Sequence, residues 1–190
     1  MKTSSEGPRE SQNRLLSICG RGSETMEWLE LREVVSGMKQ ELQCLLRGNI
    51  RLKVSDTSDA GYRLRALRCD IEDLIRHLVL DARDAMPGGG ELRVFTGKVA
   101  LDAKYARTHP EVPPGNYAML AICDTGDGSN AESLHALEGK AVIRKGRSLG
   151  LTACYDVIDQ LGGHLCVSRH AYETVIKVYL PCCGGNTNRS

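Results

Sequence analysis

Apolar residues recur at three- and four-residue steps along one stretch of the chain: Ile71, Leu74, Ile75, Leu78, Val79, Ala82 and Ala85. That is the stripe of an amphipathic helix, and it begins near Arg68. Pro87 and Gly88 to Gly90 stop it and turn the chain. A second stripe, Val34, Val35, Met38, Leu42, Leu45 and Leu46, predicts a helix over Leu31 to Leu46, ended near Gly48. A third, Leu149, Ala153, Val157, Ile158 and Leu161, predicts a helix over 149–161 with Gly162-Gly163 as its left-handed cap. Elsewhere the period falls to two. Ile50, Leu52 and Val54 alternate with polar neighbours, Leu92 and Val94 do the same within 91–100, and Asn116 to Cys123 is strongly apolar. Each predicts a strand, and 164–168 and 174–180 predict two more, joined as a hairpin. The segment 101–115 carries three prolines and reads as a surface excursion too polar for the core. A short helix is expected over 131–137, followed by an irregular, charged 138–148.

Strands and helices mix without regular βαβ alternation. The pattern predicts an α/β fold, a two-layer sandwich of a mixed β-sheet with helices on one face. A chain of 190 residues suits one domain. Residues 1–30, rich in Ser, Glu, Gly and Arg near the start, read as a largely disordered segment. Residues 31–181 form the domain with its leading helix, and 182–190 read as a flexible tail.

Charge narrows the function. Lys plus Arg (25) nearly balances Asp plus Glu (24), so no basic field points to nucleic acid. The run Ala118–Cys123 is far shorter than the ~18 residues a membrane helix needs, and 1–14 shows no apolar signal segment. The eight cysteines form no Cys-x-x-Cys pair and read as thiols in a reducing compartment, so a soluble cytoplasmic protein is expected.

Three places carry candidate chemistry. His77, Asp81 and Asp84 fall at i, i+4 and i+7 on the 68–85 helix, a row that could hold a hydrated cation, although from this helix alone an ordinary solvated face is the favoured reading. The apolar strand 116–123 runs straight into Asp124-Thr125-Gly126-Asp127-Gly128, either a ligand-contacting loop or a tight turn closed by an Asp side chain. Further on, Gly146-Arg147-Ser148-Leu149-Gly150-Leu151 opens a helix. Backbone N–H groups there suit phosphate oxygens, and Ser148 as an N-cap explains the same residues.

In this order, Asp81-Ala82-Arg83-Asp84-Ala85-Met86-Pro87-Gly88-Gly89-Gly90, Asp124-Thr125-Gly126-Asp127-Gly128, Leu149-Gly150-Leu151-Thr152, the Gly162-Gly163-His164 turn and Val178-Tyr179-Leu180-Pro181 resemble the ATP-binding catalytic domain of sensor histidine kinases, within the gyrase, Hsp90, histidine kinase and MutL superfamily. The loop Tyr105 to Pro110 with Pro113-Pro114-Gly115 resembles one subgroup of these kinases. The resemblance implies a Bergerat-type ATP-binding fold, with ATP and magnesium as cofactors and a place in bacterial two-component signalling. It implies that the Asp124 carboxylate accepts a hydrogen bond from the adenine amino group. It implies that Asp81 stands at the magnesium-ligating position, where the family has asparagine, and that His77 takes the other asparagine position one turn earlier, the candidate catalytic residue. Asp84, Gly126, Gly128, Gly146, Ser148, Leu149, Gly150 and Thr174 complete the implied nucleotide-contacting set.

The sequence departs from that pattern at Asp81 and His77, at Ser148 in place of a glycine, and around Ala171 to Thr174. It has no Phe between Gly128 and Gly146, in a segment that looks shortened relative to the family's ATP lid. None of the five histidines has the family's His-Asp/Glu phosphoacceptor context. The reading is therefore an ATP-binding domain of histidine kinase type, degenerate, with autonomous kinase activity weakened or lost. Its implied partners are a response regulator or a histidine-containing signalling protein, with a homodimer left open. The alternative is a non-catalytic, pseudokinase-like module docking on a kinase or response regulator. Arg83, Lys140, Arg144, Lys145 and Arg147 are the candidate cations for neutralising phosphates.

Overall fold

The computed structural model describes residues 25–46, 48–57, 61–125, 149–170 and 173–184. The element order is β1 (Glu27–Leu29), α1 (Leu31–Leu45), β2 (Ile50–Asp56), β3 (Tyr62–Ala66), α2 (Arg68–Asp84), β4 (Gly90–Leu101), α3 (Ala103–Thr108), β5 (Gly115–Asp124), α4 (Leu149–Gln160), β6 (His164–His170), β7 (Glu173–Pro181) and β8 (Cys183–Gly184). Five strands form one sheet in the order β2-β4-β5-β7-β6, with β2 parallel to β4 and the other pairs antiparallel. A smaller sheet, β1-β3-β8, joins the start of the domain to its end. The expected mixed sheet is present, with α1, α2 and α4 on one face.

Period two along the strands decides what points at the helices. Leu92 and Val94 of β4, Leu120 and Ile122 of β5, and Ile176 and Val178 of β7 are all buried, and the registers place them side by side. Against them α2 lays Ile71, Leu74, Ile75, Leu78, Val79 and Ala82, the stripe read from the sequence. α1 spends its own stripe, Leu31, Val34, Val35, Met38 and Leu42, in the same core, so those residues are not a surface for a second copy of the chain. From α4, Cys154 and Ile158 are buried in it.

Both ends of the connections are defined by glycine. After α4, the Gly163 N–H donates to the Ile158 carbonyl (2.8 Å) and the Gly162 N–H to that of Asp159 (2.9 Å), with Gly162 at φ +65°. This is the double bond of a left-handed helix cap, as the Gly162-Gly163 pair predicts. After α2, Gly89 has φ +92°, and a Cβ there would lie 2.5 Å from the Asn49 carbonyl oxygen. Gly90, at φ +154°, would meet Thr125 Oγ1 at 2.7 Å and Met86 Sδ at 3.0 Å. Gly89 and Gly90 are needed because this turn is pressed between the start of β2 and the end of β5, whereas Gly88 stands in open space.

Three features differ from the sequence expectation. β1 and β3 were not anticipated; both are short, and β1 places ordered structure ahead of Leu31, with Leu29 buried. Cys183–Gly184 likewise pairs with Tyr62–Arg63, inside the stretch expected to be tail. The 101–115 excursion does contribute to a core: it holds α3, capped by Asp102 accepting from the Tyr105 N–H at 2.9 Å, and it buries Leu101 and Val112 with Tyr117 and Tyr179 on the sheet's outer face. A polar composition concealed this because the few apolar side chains all point the same way, onto the sheet. The expected 131–137 helix and the irregular 138–148 lie outside the described residues.

Candidate functional site

The inward face of the sheet ends in polar groups. Asp124 is the last residue of β5 and Thr174 is its Cα partner on β7; on β4 the partner is Leu92. Alternation carries both polar side chains onto the face that Ile122 and Ile176 present to the helices. Each is buried, Asp124 to 3% exposure and Thr174 to 2%, which sets them apart from the solvated ends of most strands. A carboxylate in such a place has shed water, so any donor that meets it gains more than it would in bulk solvent.

Thr125 holds this strand end in position. The Glu91 N–H donates to Thr125 Oγ1 (3.0 Å), and the Thr125 N–H donates back to the Glu91 carbonyl (3.3 Å). Through Gly90 and Met86 the same corner adjoins the C-terminal end of α2. Sequence reasoning missed Thr125 and Met86 as positioning residues. Their role follows only from β4 lying beside β5.

α2 displays its titratable residues on two sides. Cys154, in the second turn of α4, lies with Sγ 3.9 Å from the Leu74 carbonyl oxygen, to which the thiol donates. Burial pushes the Cys154 thiol up to about 12, and the negative charge of Asp81 adds to the rise. Asp81 is therefore on the side of α2 that faces α4, with His77 one turn back, and both are half-buried. Asp84 is exposed and paired with Arg83 at 2.8 Å. Arg83 also donates to the Leu45 carbonyl at the end of α1 (3.3 Å), so its guanidinium is committed to the α1 side. Of the candidate phosphate-neutralising cations, Arg83 is the one whose partners are described, Leu45 and Asp84. Lys140, Arg144, Lys145 and Arg147 lie outside the described residues, as do Gly126, Gly128, Gly146 and Ser148. Of the remaining expected positions, Leu149 and Gly150 form the first turn of α4.

A thiol this far above its ordinary value is unreactive at neutral pH. Iodoacetamide should modify the exposed Cys44 and Cys183 in the native protein and leave Cys154 untouched until denaturant is added, as peptide mapping would show. Modification of native Cys154 at the rate of Cys44 would contradict the packing of α4 on α2.

Among the described residues no group of three or more His, Cys, Asp or Glu is arranged to hold a metal ion by itself. The half-buried Asp81 carboxylate is a hard oxygen donor of the kind magnesium takes, one or two at a time, completing its shell with phosphate and water oxygens. The buried Asp124 beside Thr174 fits a ligand that brings its own hydrogen-bond donor. No helix among the described residues is long and apolar enough to cross a membrane.

This architecture is that of the ATP-binding catalytic domain of histidine kinases. The mycobacterial sensor histidine kinase MprB superposes with a TM-score of 0.58 at 22% identity, covering 84% of this chain and 99% of that one. The catalytic domain of histidine kinase ThkA gives 0.56 at 16% identity, covering 83% of this chain and 97% of that one. In sequence, the chain is 32% identical over 178 residues to sensor kinase CckA of Brucella abortus (strain 2308), covering 88% of this chain. It spans only 18% of that relative's length. No protein-family model matches the chain. The chain belongs to the histidine kinase catalytic-domain family, and Bergerat-type architecture, mixed sheet and helical layer all follow the expectation drawn from its motifs.

Proposed function

We propose that this chain binds ATP with magnesium in the manner of a histidine kinase catalytic domain, has weakened or no autonomous kinase activity, and acts with a separate signalling partner in the cytoplasm. The observation that carries the reading is the burial of Asp124 beside Thr174 at the end of the inward sheet face, where a donor on a flat base would be read by the carboxylate. In this reading Asp124 accepts from the adenine amino group, and Thr174 lines the same pocket. Asp81 holds magnesium, Asp84 belongs to the nucleotide-contacting set, and His77, one turn before Asp81, is the candidate catalytic residue. Backbone N–H groups of Gly146, Ser148, Leu149 and Gly150 take phosphate oxygens, and Gly126 and Gly128 let the chain pass close to the base. Magnesium supplies charge neutralisation on the phosphates. The seven described cysteines are free thiols, which suits a reducing compartment.

The partner in this reading is a response regulator or a histidine-containing signalling protein, and the proposed substrate histidine belongs to another chain. One observation favours the second reading, a non-catalytic module docking on a kinase or regulator. Asp81 places a full negative charge where a triphosphate would approach, and that charge is already felt by Cys154.

Isothermal titration with ATP, with and without magnesium, separates the two. Micromolar-to-millimolar binding supports the first reading, and no heat in either buffer leaves the docking module. Given radiolabelled ATP, the protein alone should carry no acid-labile phosphate, because none of its five histidines has the phosphoacceptor context. Label on His77, His109, His135, His164 or His170 would overturn that expectation.

A further inference from the structure

On the outer face of the sheet, away from the polar corner of Asp124, four aromatic and imidazole rings form a closed group. Tyr105 and His109 of the 102–114 segment stack at 4.2 Å between centroids, with planes 10° apart. His164 of β6 lies parallel to Tyr179 of β7 at 6.3 Å. The two pairs meet edge to face, with the His109 and His164 rings 5.2 Å apart and Tyr105 6.0 Å from Tyr179. Two buried polar atoms inside the group, His164 Nε2 and Tyr105 Oη, have no hydrogen-bond partner. The motif Tyr105-Ala-Arg-Thr-His109-Pro110, which the nucleotide reading leaves unused, is thus the means by which this segment holds to the sheet. Tyr117 Oη, donating to the Pro113 carbonyl at 2.7 Å, pins its far end.

We propose that His109 and His164 form a pH-sensitive latch, which holds the 102–114 segment on the outer sheet face while both rings are neutral and releases it when they are protonated. A second positive charge at this separation has little to balance it. From the segment itself, Glu111 lies 3.7 Å from His164 Nδ1, but its side chain is 60% exposed. His109 Nδ1 is 3.3 Å from the Tyr105 carbonyl and 3.0 Å from Thr108 Oγ1. Asp102, the N-cap of α3, and Lys104 and Arg107 on it are exposed, and the Asp102 carboxylate accepts from the Tyr105 N–H. From β6 and β7 the same face receives Cys166, Tyr179 and the cationic Lys177. Burial first and His109 second lower the affinity of His164 for a proton, against a smaller opposing pull from Glu111. A base so shifted binds fewer protons folded than unfolded. Its contribution is complete above the ordinary histidine value and is lost as pH falls below it.

Hydrogen exchange on the full chain tests this, with rates corrected for intrinsic chemistry at about pH 7.5 and about pH 5.5. Protection of amides in 103–112 should fall by about tenfold or more at the lower pH relative to the β2–β4 ladder. The double variant His109→Phe, His164→Phe keeps both rings and removes both charges, so its segment should stay equally protected at the two pH values. No change in the wild type overturns the latch, and so does a wild-type loss that the double variant reproduces. If the double variant is unfolded by circular dichroism, the imidazole proton resonances of the wild type decide. Titration of His164 below the ordinary histidine range supports the latch, and its titration at the ordinary value rejects it.

Discussion

Asp124→Ala should lower ATP affinity by about ten- to a hundredfold and leave the fold standing. The lost interaction is a hydrogen bond to a charged acceptor, worth roughly 1.5–3 kcal/mol, and each 1.4 kcal/mol or so is a factor of ten in affinity. The side chain is 3% exposed, so no water stands ready to take over its role toward a bound base. The stability cost is smaller. Asp124 ends its strand, and Thr125 still ties that end to Glu91 through two backbone-linked bonds. Loss of the carboxylate's own hydrogen bonding should cost about 0.5–1.5 kcal/mol in denaturant unfolding. Calorimetric titration with magnesium and ATP, alongside a thermal melt without nucleotide, separates the two effects. Unchanged affinity in a folded Asp124→Ala protein would remove adenine recognition from this residue and from the corner it occupies.

Asp81→Asn should strengthen ATP binding in EDTA and change it much less with magnesium present. The aspartate puts a unit negative charge on the side of α2 facing α4, where it already opposes ionisation of Cys154. A unit charge pair at ~4 Å in an effective dielectric near 20 is worth roughly 4 kcal/mol. Without a metal that charge repels phosphate, and with magnesium the repulsion turns into ligation. Replacing carboxylate by amide removes both terms, so the benefit appears only where the first is uncompensated. The native protein should accordingly depend strongly on magnesium for nucleotide. Calorimetry on both proteins in both buffers measures this, and equal effects of the substitution in the two buffers would take Asp81 out of the metal site.

Local sequence determined the long elements of this protein. The stripes of α1 and α2, the alternation in β2, β4 and β5 and the Gly162-Gly163 cap each follow from periodicity or backbone sterics within one segment, and the structure reproduces them with ends shifted by a residue or two. The motif order was enough to anticipate the mixed sheet with its helical layer and the family it belongs to. Tertiary structure decided everything that needs two distant segments at once. β1 has too few residues to show a period and becomes a strand because Glu27–Leu29 lies in register against Tyr62–Ala66, whose own alternation of Tyr62, Leu64 and Ala66 with Arg63 and Arg65 is a strand signal legible in the sequence. Arg83 is a candidate cation by residue type alone, and only the packing of α1 beside α2 shows its guanidinium held by the Leu45 carbonyl and Asp84. Asp124 and Thr174 are fifty residues apart in the chain, and only the β5–β7 register makes them neighbours on one buried face. The 101–115 segment reads as polar surface because its composition averages over directions. Its Leu101, Tyr105 and Val112 are turned onto the sheet together, and a sequence does not record which way a short helix without a full apolar stripe will face.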